Sequence, residues 1–371
     1  MNFETRVDQT IADAIDNQRI VGAVTVIARD GEIIYRKAAG SFDREANKPM
    51  FPEAIFRLAS VTKPLVAATA LAMIERKLLG LDNAVSDHLP WFRPKLPDGR
   101  QPKITIRQLL NHTSGLSYGL ELPDGITSGL QPSDLSLEEN FTRWANEVPL
   151  AFEPGTAWAY GTGIDIVGAV IERIHGGSLH EALQHYIAEP LGMTDTGFFV
   201  TDKERLAVPY ADGPPGLRRM GDPEPVINPD GAVNLFSPGR HFNPRAFQSG
   251  GAGALGTGDD LIKFFEAIRQ RGTPILKPDT VANAIVNQVG DLPRRPNDAG
   301  QRFGYLGAVI VDPEAAGRPQ GAGTIRWGGV YGHDWFVDFV NGISCVTLTN
   351  TPIEGCNGEY PKQVARAIYE G

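Results

Sequence analysis

The sequence has few cysteines, and this scarcity argues against a disulfide scaffold or a structural zinc site. Two of the 371 residues are cysteines, Cys345 and Cys356. They form neither a CxxC pair nor a Cys/His cluster of the kind that holds zinc. A chain of this length does not need disulfides to stabilise its core, so we expect two unpaired thiols in a reducing compartment. The predicted location is the cytoplasm.

Long apolar runs and an excess of basic residues are also missing. The longest mostly apolar run, residues 65–73, is far shorter than the roughly 20 residues that cross a bilayer. The first six residues do not resemble a secretory signal, because they lack a basic segment followed by an apolar block. Lys and Arg total 35 against 44 Asp and Glu, a net charge of −9, which repels phosphates on average. We therefore expect neither a membrane nor a nucleic acid as partner.

The hydrophobic pattern predicts an α+β protein whose sheet is built from both ends of the chain. Apolar residues recur at every fourth position near the N-terminus and predict a helix. Two β-rich runs joined at Asp30-Gly31 predict a hairpin, because glycine accepts the positive φ of the turn. A helix is predicted over residues 60–79. Further strands are predicted over 306–311, 324–327, 335–339 and 344–349, followed by a last helix over 362–369.

These elements predict two domains. Residues 1–80 and 250–371 form a sheet domain in which an antiparallel sheet is flanked by helices. Residues 81–249 form an inserted, mainly helical subdomain with helices near 106–110, 164–174 and 179–187. Within it, the stretches 212–216 and 228–231 are too rich in proline and glycine for regular elements. The sequence contains no internal repeat and leaves the oligomeric state open.

Three short motifs match known sites, but their contexts do not fit. Residues 115–119 match the G-x-S-x-G nucleophile elbow around Ser117, yet a helix rather than a strand is predicted before them. Residues 251–256 match the dinucleotide fingerprint G-x-G-x-x-G without a preceding parallel strand. His180 and His185 are one residue too far apart for H-E-x-x-H, so they cannot share a metal on one helix face. We predict no metal site.

Ser60-Val61-Thr62-Lys63 is an S-x-x-K motif at a predicted helix start, and here spacing and chemistry agree. Residues i and i+3 share a helical face, so the Lys63 amine can reach the Ser60 hydroxyl. The positive end of the helix dipole favours an oxyanion and disfavours a charged lysine. Burial lowers the lysine pKa further, which predicts a proton acceptor near neutral pH.

The surroundings of this motif resemble serine β-lactamase-fold hydrolases along nearly the whole chain. The resemblance lies in five segments that occur in the order found in that superfamily: 56–64, 104–116, 153–160, 249–253 and 327–329. The fold it implies is an antiparallel sheet flanked by helices with a helical subdomain. Within the superfamily the chain is most similar to the class C β-lactamase-like esterases, also called family VIII carboxylesterases.

Two departures from penicillin-binding enzymes favour the esterases. Tyr160-Gly161-Thr162 stands where those enzymes have Tyr-x-Asn, so the asparagine amide is missing. Trp327-Gly328-Gly329 stands where they have Lys-Thr-Gly, and a tryptophan cannot hold a substrate carboxylate. Family VIII enzymes also have Trp-Gly-Gly there and carry a G-x-S-x-G that is not catalytic, which fits Ser117.

The resemblance implies a role for each matching residue. Ser60 is the nucleophile that forms an acyl-enzyme, and Lys63 and Tyr160 share the base role as one titrating unit. The oxyanion hole consists of the backbone N–H groups of Ser60 and Val330. The residues expected to contact substrate are Trp327, Gly328, Gly329 and His333, with Trp327 walling the acyl pocket. No metal or organic cofactor is required.

Two further residues are expected to be structural. His112 is interpreted as a hydrogen-bonding residue at a helix end, and Asp165 as a residue that orders the helix after Tyr160.

The predicted function is hydrolysis of short-chain carboxylic esters, with a small-molecule ester as substrate. A β-lactamase or a D-amino-acid amidase or peptidase of the same fold remains an alternative. A third hypothesis is a penicillin-recognising binding module without catalysis. Retention of Ser60, Lys63 and Tyr160 together argues against this third hypothesis, because binding alone does not need all three.

Overall fold

The computed structural model describes residues 2–228, 231–292 and 299–370. Within them the strands are β1 (Gly22–Arg29), β2 (Glu32–Asp43), β3 (Lys48–Pro49), β4 (Phe56–Arg57), β5 (Tyr210–Ala211), β6 (Arg218–Arg219), β7 (Glu224–Ile227), β8 (Val233–Phe236), β9 (Leu255–Gly256), β10 (Gln301–Phe303), β11 (Ala308–Ile310), β12 (Ile325–Gly329), β13 (His333–Asp338) and β14 (Ile343–Thr349). The α-helices are α1 (Phe3–Asp16), α2 (Thr62–Glu75), α3 (Val85–His88), α4 (Ile106–Leu110), α5 (Leu137–Glu147), α6 (Gly163–His175), α7 (Leu179–Leu183), α8 (Glu189–Leu191), α9 (Gly258–Arg269), α10 (Pro278–Ala284), α11 (Pro313–Ala316), α12 (Pro352–Cys356) and α13 (Tyr360–Tyr369). Short 3-10 turns cover Ala59–Val61, Lys203–Arg205 and Pro238–Phe242, and a π-helical turn covers Gln184–Ala188.

The main sheet joins the two ends of the chain. Within the described residues it has the strand order β10-β11-β12-β13-β14-β1-β2-β3, and all neighbouring strands are antiparallel. β1 pairs with β14 on one side and with β2 on the other. The turn between β1 and β2 places Asp30 at φ +51° and Gly31 at φ +95°, the left-handed region that Asp tolerates and Gly adopts freely. The predicted hairpin and the predicted sheet from both chain ends are confirmed.

Helices cover both faces of this sheet, and strand β1 shows why. Successive side chains of a strand point to opposite faces. Val24 and Val26 belong to the large core that also contains residues of α2 and α9, whereas Ala23 and Ile27 pack with α1 and α13. Both faces of β1 therefore need apolar residues, which explains its continuous apolar run. The α+β class with helices flanking an antiparallel sheet is confirmed.

Helix α2 is buried nearly all round, but it is shorter than the predicted helix over 60–79. It begins after the 3-10 turn Ala59–Val61 and ends at Glu75. Lys77 adopts φ +60°, and the Lys77 and Leu78 N–H groups donate to the carbonyls of Ile74 and Met73. This hydrogen-bond pattern is a Schellman motif, which stops a helix by satisfying its last carbonyls.

Two short hairpins that the sequence did not predict flank the proline- and glycine-rich stretches of the segment 212–245, while 212–216 itself forms no regular element, as predicted. β5 pairs with β6, and β7 pairs with β8 in a register that places Ile227 opposite Val233. Val226 and Phe236 of the second hairpin are buried in a cluster with Tyr331. This distant contact stabilises the hairpin despite its proline and glycine content. Pro229 and Asp230, in the predicted irregular stretch 228–231, lie outside the described residues.

The strands of the main sheet fall within 1–80 and 250–371, and helices α3 to α8 fall within 81–249. Helix α2 also packs against α6 and α7 across that boundary, and the division into two domains stays a prediction. In the described ranges, no helix has both the length and the apolar character that a transmembrane span requires.

Candidate active site

Ser60 lies on a constrained turn directly before helix α2. It is the middle residue of the 3-10 turn Ala59–Val61. Ala59 has φ +45° although it is not a glycine, a conformation that costs energy for an L-residue and persists only when its surroundings impose it. The pairing of β4 with β9 holds the preceding residues, and the Leu58 N–H donates to the Ala254 carbonyl at 2.9 Å. The 3-10 turn and the pairing of β4 with β9 thus fix the position of the Ser60 backbone.

Lys63 points its amine at Ser60, as the spacing predicts. The side chain lies in the first turn of α2 and the residue is 5% exposed. Its Nζ donates to Ser60 Oγ at 3.2 Å, to Tyr118 Oη at 3.1 Å and to the Gly251 carbonyl at 2.8 Å. An ammonium group has three N–H donors, and each of them has an acceptor here.

The charge of Lys63 differs from the sequence-based expectation. Burial acts to lower the pKa of Lys63, as predicted, but Tyr118, Tyr160 and Asp165 face the amine and outweigh burial. The pKa of Lys63 is therefore raised above its ordinary value, and the group is an ammonium at neutral pH. The prediction of a lowered lysine pKa was wrong, because the sequence does not show which side chains surround the amine.

Tyr160 lies beside Lys63 and accepts a hydrogen bond from Trp327. The Lys63 Nζ is 4.7 Å from the centre of the Tyr160 ring. The Trp327 indole Nε1–H donates to Tyr160 Oη at 2.9 Å, and the two ring centres are 4.9 Å apart. One N–H donor and one ammonium charge therefore lie beside this phenol. The predicted group of Ser60, Lys63 and Tyr160 comes together, and Trp327 binds Tyr160. That Trp327 walls the acyl pocket stays a prediction.

Tyr118 is a member of the site that sequence reasoning missed. Its hydroxyl accepts from Lys63, and its backbone N–H donates to the Tyr160 carbonyl at 3.1 Å. The two tyrosine rings are 5.3 Å apart. Burial raises the pKa of Tyr118 above its ordinary value, so it is a neutral phenol. In the sequence, Tyr118 is a variable position of the G-x-S-x-G match. The motif therefore pointed to Ser117 and gave no signal for the tyrosine.

The rejected motifs do not form the sites they resemble. Ser117 follows helix α4 and a stretch of turns, and its Oγ accepts from the Gly119 N–H at 3.0 Å. The stretch 251–256 follows a turn at residues 249–250 rather than a parallel strand, and its Gly251 carbonyl binds Lys63. Within the described ranges, no group of three or more His, Cys, Asp or Glu is placed to hold a metal ion.

The Trp-Gly-Gly strand packs tightly against the serine turn. A Cβ on Gly329 would lie 2.3 Å from the Leu58 carbonyl oxygen, and a Cβ on Gly328 would lie 2.7 Å from the His333 carbonyl oxygen. A side chain cannot fit at either position unless the backbone moves. Val330 follows at the end of β12 and packs against the cluster that contains Ala59. The predicted oxyanion donors, the N–H groups of Ser60 and Val330, thus belong to adjoining segments, and their role stays a prediction.

Aromatic rings pack in one buried cluster beside Tyr160. Trp327 lies edge-on to Phe303 at 5.2 Å, and Phe303 packs with Trp158 at 5.3 Å. The His112 ring lies 4.8 Å from Tyr160, and its Nδ1 accepts from the Gly161 N–H at 3.4 Å. Burial and the charge of Lys63 hold the pKa of His112 well below its ordinary value. His112 is therefore a neutral hydrogen-bonding residue just after α4, as predicted.

His333 does not lie at the mouth of the site, contrary to expectation. It is 1% exposed, and its Nε2 donates to the Arg57 carbonyl at 2.8 Å. Its ring lies edge-on to Phe56, and burial lowers its pKa to about 4. His333 is the first residue of strand β13 and pairs with Gly329 of β12. It therefore supports the backbone of the Trp-Gly-Gly strand and is not placed to contact a substrate.

Asp165 faces away from the helix start that it was expected to order. Thr162 occupies the N-cap of α6 without a side-chain cap. The Asp165 carboxylate instead accepts hydrogen bonds from Ser249 and Gly251 on the loop that also binds Lys63. The carboxylate is therefore connected to the site rather than to the first turn of α6.

The sequence matches the beta-lactamase family over residues 7–367. The chain belongs to this family. It is 46% identical over 377 residues to the esterase EstB of Burkholderia gladioli, covering 99% of this chain and 95% of that protein. It is 32% identical over 390 residues to the lovastatin esterase of Penicillium rubens, covering 94% of both chains.

Among solved structures, this beta-lactamase family member is similar to "EstCE1, a hydrolase with promiscuous acyltransferase activity". The TM-score is 0.93 at 42% identity, and the match covers 99% of this chain and 98% of that one. The family and the fold predicted from the five segments are confirmed.

Proposed function

We propose that this protein is a serine carboxylesterase that hydrolyses short, uncharged esters through an acyl-enzyme on Ser60. The observation that carries the proposal is the 3.2 Å contact between Lys63 Nζ and Ser60 Oγ, in a cluster that also contains Tyr118 and Tyr160. The names of EstB and of the lovastatin esterase support it, because both describe ester hydrolysis.

Tyr160 is the group that receives the serine proton in this mechanism. Lys63 is an ammonium and has no free pair of electrons to accept a proton. The Trp327 N–H and the Lys63 ammonium instead stabilise negative charge on the Tyr160 oxygen. Lys63 and Tyr160 thus act as one unit that holds or releases a single proton.

The reaction has two steps that share this unit. Ser60 Oγ attacks the ester carbonyl while its proton passes to the Tyr160 oxygen, and Tyr160 then protonates the alcohol as it leaves. In the second step, water attacks the acyl-enzyme, its proton passes to Tyr160, and Ser60 regains a proton as the acid leaves. The products are one alcohol and one carboxylic acid.

The N–H groups of Ser60 and Val330 stabilise the tetrahedral intermediate. The tight contact of Gly329 with the Leu58 carbonyl supports this assignment, because it keeps the two donor segments adjacent. Such a donor typically contributes about 2.7–4 kcal/mol to the transition state.

The cleft favours neutral substrates. Trp327 stands where a substrate carboxylate would need a cation, and its N–H is engaged by Tyr160. The buried aromatic side chains of Phe303 and Trp158 pack behind Trp327 and keep its surroundings apolar. The substrate class is therefore a small uncharged ester. The unpaired thiols of Cys345 and Cys356 support the cytoplasm as its location.

Replacing Ser60 tests the proposal against the other motif serine. We expect Ser60→Ala to abolish hydrolysis of p-nitrophenyl butyrate and Ser117→Ala to retain most of it. An organophosphonate should label Ser60, as read by peptide mapping. A label on Ser117, or an active Ser60→Ala variant, would show that the nucleophile is elsewhere.

Acyl transfer to an alcohol is a second candidate activity. The aromatic wall beside Tyr160 favours it, because an apolar alcohol can bind there and compete with water for the acyl-enzyme. EstCE1, which is described as having promiscuous acyltransferase activity, supports the idea. We expect p-nitrophenyl butyrate and benzyl alcohol to yield benzyl butyrate, measured by gas chromatography. If butyrate is the only acyl product at every alcohol concentration, the enzyme does not transfer acyl groups to this acceptor.

A further inference from the structure

Asp165 is a buried carboxylate that the proposed mechanism does not use. It lies in the first turn of α6 and is 0% exposed. Its Oδ1 accepts hydrogen bonds from the Ser249 hydroxyl at 2.5 Å and from the Gly251 N–H at 3.0 Å. Its Oδ2 is buried and has no hydrogen-bond partner within the part of the chain that the structure describes. A buried carboxylate with one bare oxygen is costly unless a cation compensates its charge.

Gly251 links this carboxylate to Lys63. The N–H of Gly251 donates to Asp165, and its carbonyl accepts from Lys63 Nζ at 2.8 Å. A Cβ on Gly251 would lie 2.4 Å from Asp165 Oδ2 and 3.2 Å from Tyr118 Oη. The bare oxygen and the Tyr118 hydroxyl therefore border the same narrow space. Lys63 and Asp165 hold one residue of the loop from opposite ends.

Two cations are close enough to Asp165 to affect its charge. Burial raises the pKa of Asp165, while Lys63 and Arg240 oppose that rise. The Arg240 guanidinium donates to the carbonyls of Gln131 and Phe247. Lys63 is thus the cation that shares a hydrogen-bonded loop residue with the carboxylate.

The other titratable groups that face Lys63 are Tyr118, after α4, and Tyr160, before α6. His112 also faces Lys63 and is neutral. The carboxylate of Asp165 is therefore a negative charge that faces the ammonium and is not a tyrosine.

We propose that Asp165 is a positioning residue whose buried negative charge, acting through the Gly251 loop, keeps Lys63 charged and aimed at Ser60. The proposal rests on the proposed function, because it assigns Asp165 to the same catalytic pair. Asp165 touches neither Ser60 nor a substrate. It helps to set the pH up to which Lys63 keeps its proton.

The charge of Asp165 predicts the direction in which a variant shifts the pH profile. Without the carboxylate the ammonium is less stable, so Lys63 loses its proton at lower pH and the alkaline limb moves to lower pH. Because a nearby charge shifts a pKa by about one unit or more, Asp165→Asn should move this alkaline limb by about one pH unit.

The rate of Ser60 labelling by a p-nitrophenyl organophosphonate, measured against pH, tests this without requiring ester turnover. The folded wild type and Asp165→Asn are compared, and p-nitrophenyl butyrate hydrolysis is followed in parallel. Failure of the wild type to hydrolyse esters would count against the proposed function alone. A displacement of the alkaline labelling limb to lower pH supports the role of Asp165. An equal loss of rate at every pH, with an unmoved alkaline limb, overturns it.

Ser249→Ala is the matched variant and covers the case in which Asp165→Asn does not fold. It removes one hydrogen bond to the carboxylate and keeps the charge. The less neutralised carboxylate should move the alkaline limb slightly to higher pH, opposite to Asp165→Asn. An unmoved alkaline limb, or a shift to lower pH, in folded Ser249→Ala overturns the proposal. Circular dichroism establishes the folded state of both variants.

Discussion

At the level of single residues, the protonation state of Lys63 decides which group acts as base. Its three acceptors are Ser60, Tyr118 and the Gly251 carbonyl. Because the pKa of Lys63 is raised, the amine keeps its proton at neutral pH and stabilises charge on its neighbours. In the proposed mechanism Tyr160, which lies beside the Trp327 N–H and the Lys63 ammonium, receives the serine proton.

We predict that Lys63→Ala and Tyr160→Phe lower the acylation rate by at least about a hundredfold, the usual contribution of general acid–base catalysis. Activity should fall on the acid side as the Lys63/Tyr160 unit gains a proton. The alkaline limb should lie above the ordinary lysine range, because a raised pKa delays loss of the ammonium proton. Stopped-flow release of p-nitrophenol across pH measures both limbs.

His112→Asn is the control for this prediction. Asparagine tolerates the left-handed backbone at this position, where φ is +61°. The pKa of His112 is lowered by burial and by Lys63, so the imidazole is neutral and does not produce the acid limb. The variant should keep the shape of the pH profile. Near wild-type rates in Lys63→Ala and Tyr160→Phe, or loss of the acid limb in His112→Asn, would contradict the mechanism.

At the level of elements, the end of strand β12 connects packing to chemistry. We predict that Gly329→Ala lowers kcat by about 10²–10³, the loss typical of a misplaced oxyanion donor. The added methyl group would lie 2.3 Å from the Leu58 carbonyl oxygen, so it must push the serine turn away from β12. Steady-state kinetics with p-nitrophenyl butyrate measure the change.

Gly221→Ala is the matched control, because its Cβ would meet chiefly the flexible end of the Glu224 side chain at 3.2 Å. This variant should keep wild-type kcat. If Gly329→Ala is equally active and folded, β12 does not position the oxyanion hole.

Local signals predicted most of the elements and much of the site. The Asp30-Gly31 turn, the apolar stripe of α1 and the S-x-x-K spacing each depend on neighbours in the sequence. The β7–β8 hairpin was missed because its buried residue Phe236 packs against Tyr331 far along the chain. Tyr118 and the charge of Lys63 were missed for the same reason, since only tertiary contacts bring Tyr118 and Asp165 to the amine.

At the level of the whole molecule, the fold places parts of the site from distant stretches of sequence around Lys63. Ser60 and Lys63 precede the helical part, Tyr118 and Tyr160 belong to it, and Trp327 comes from the sheet. The pairing of β1 with β14 at the centre of the sheet joins the two chain ends that frame this arrangement. A change in the packing between sheet and helices therefore affects every catalytic contact together.

The composition of the cleft predicts a preference between two substrate classes. Cephalosporins carry a carboxylate, and a neutral ester does not. Trp327 offers no charge to that carboxylate and uses its N–H on Tyr160, so the enzyme forgoes a charge-assisted contact of about 1.5–3 kcal/mol, or roughly ten- to a hundredfold in binding. We therefore expect kcat/KM to be higher for p-nitrophenyl butyrate than for a chromogenic cephalosporin.

Trp327→Lys is the reciprocal variant of this prediction. It should reduce the difference in kcat/KM between the ester and the cephalosporin, because it supplies the missing cation while removing the Tyr160 contact. If the wild type hydrolyses the cephalosporin as well as the ester, the cleft holds the carboxylate by other groups and the β-lactamase alternative gains support.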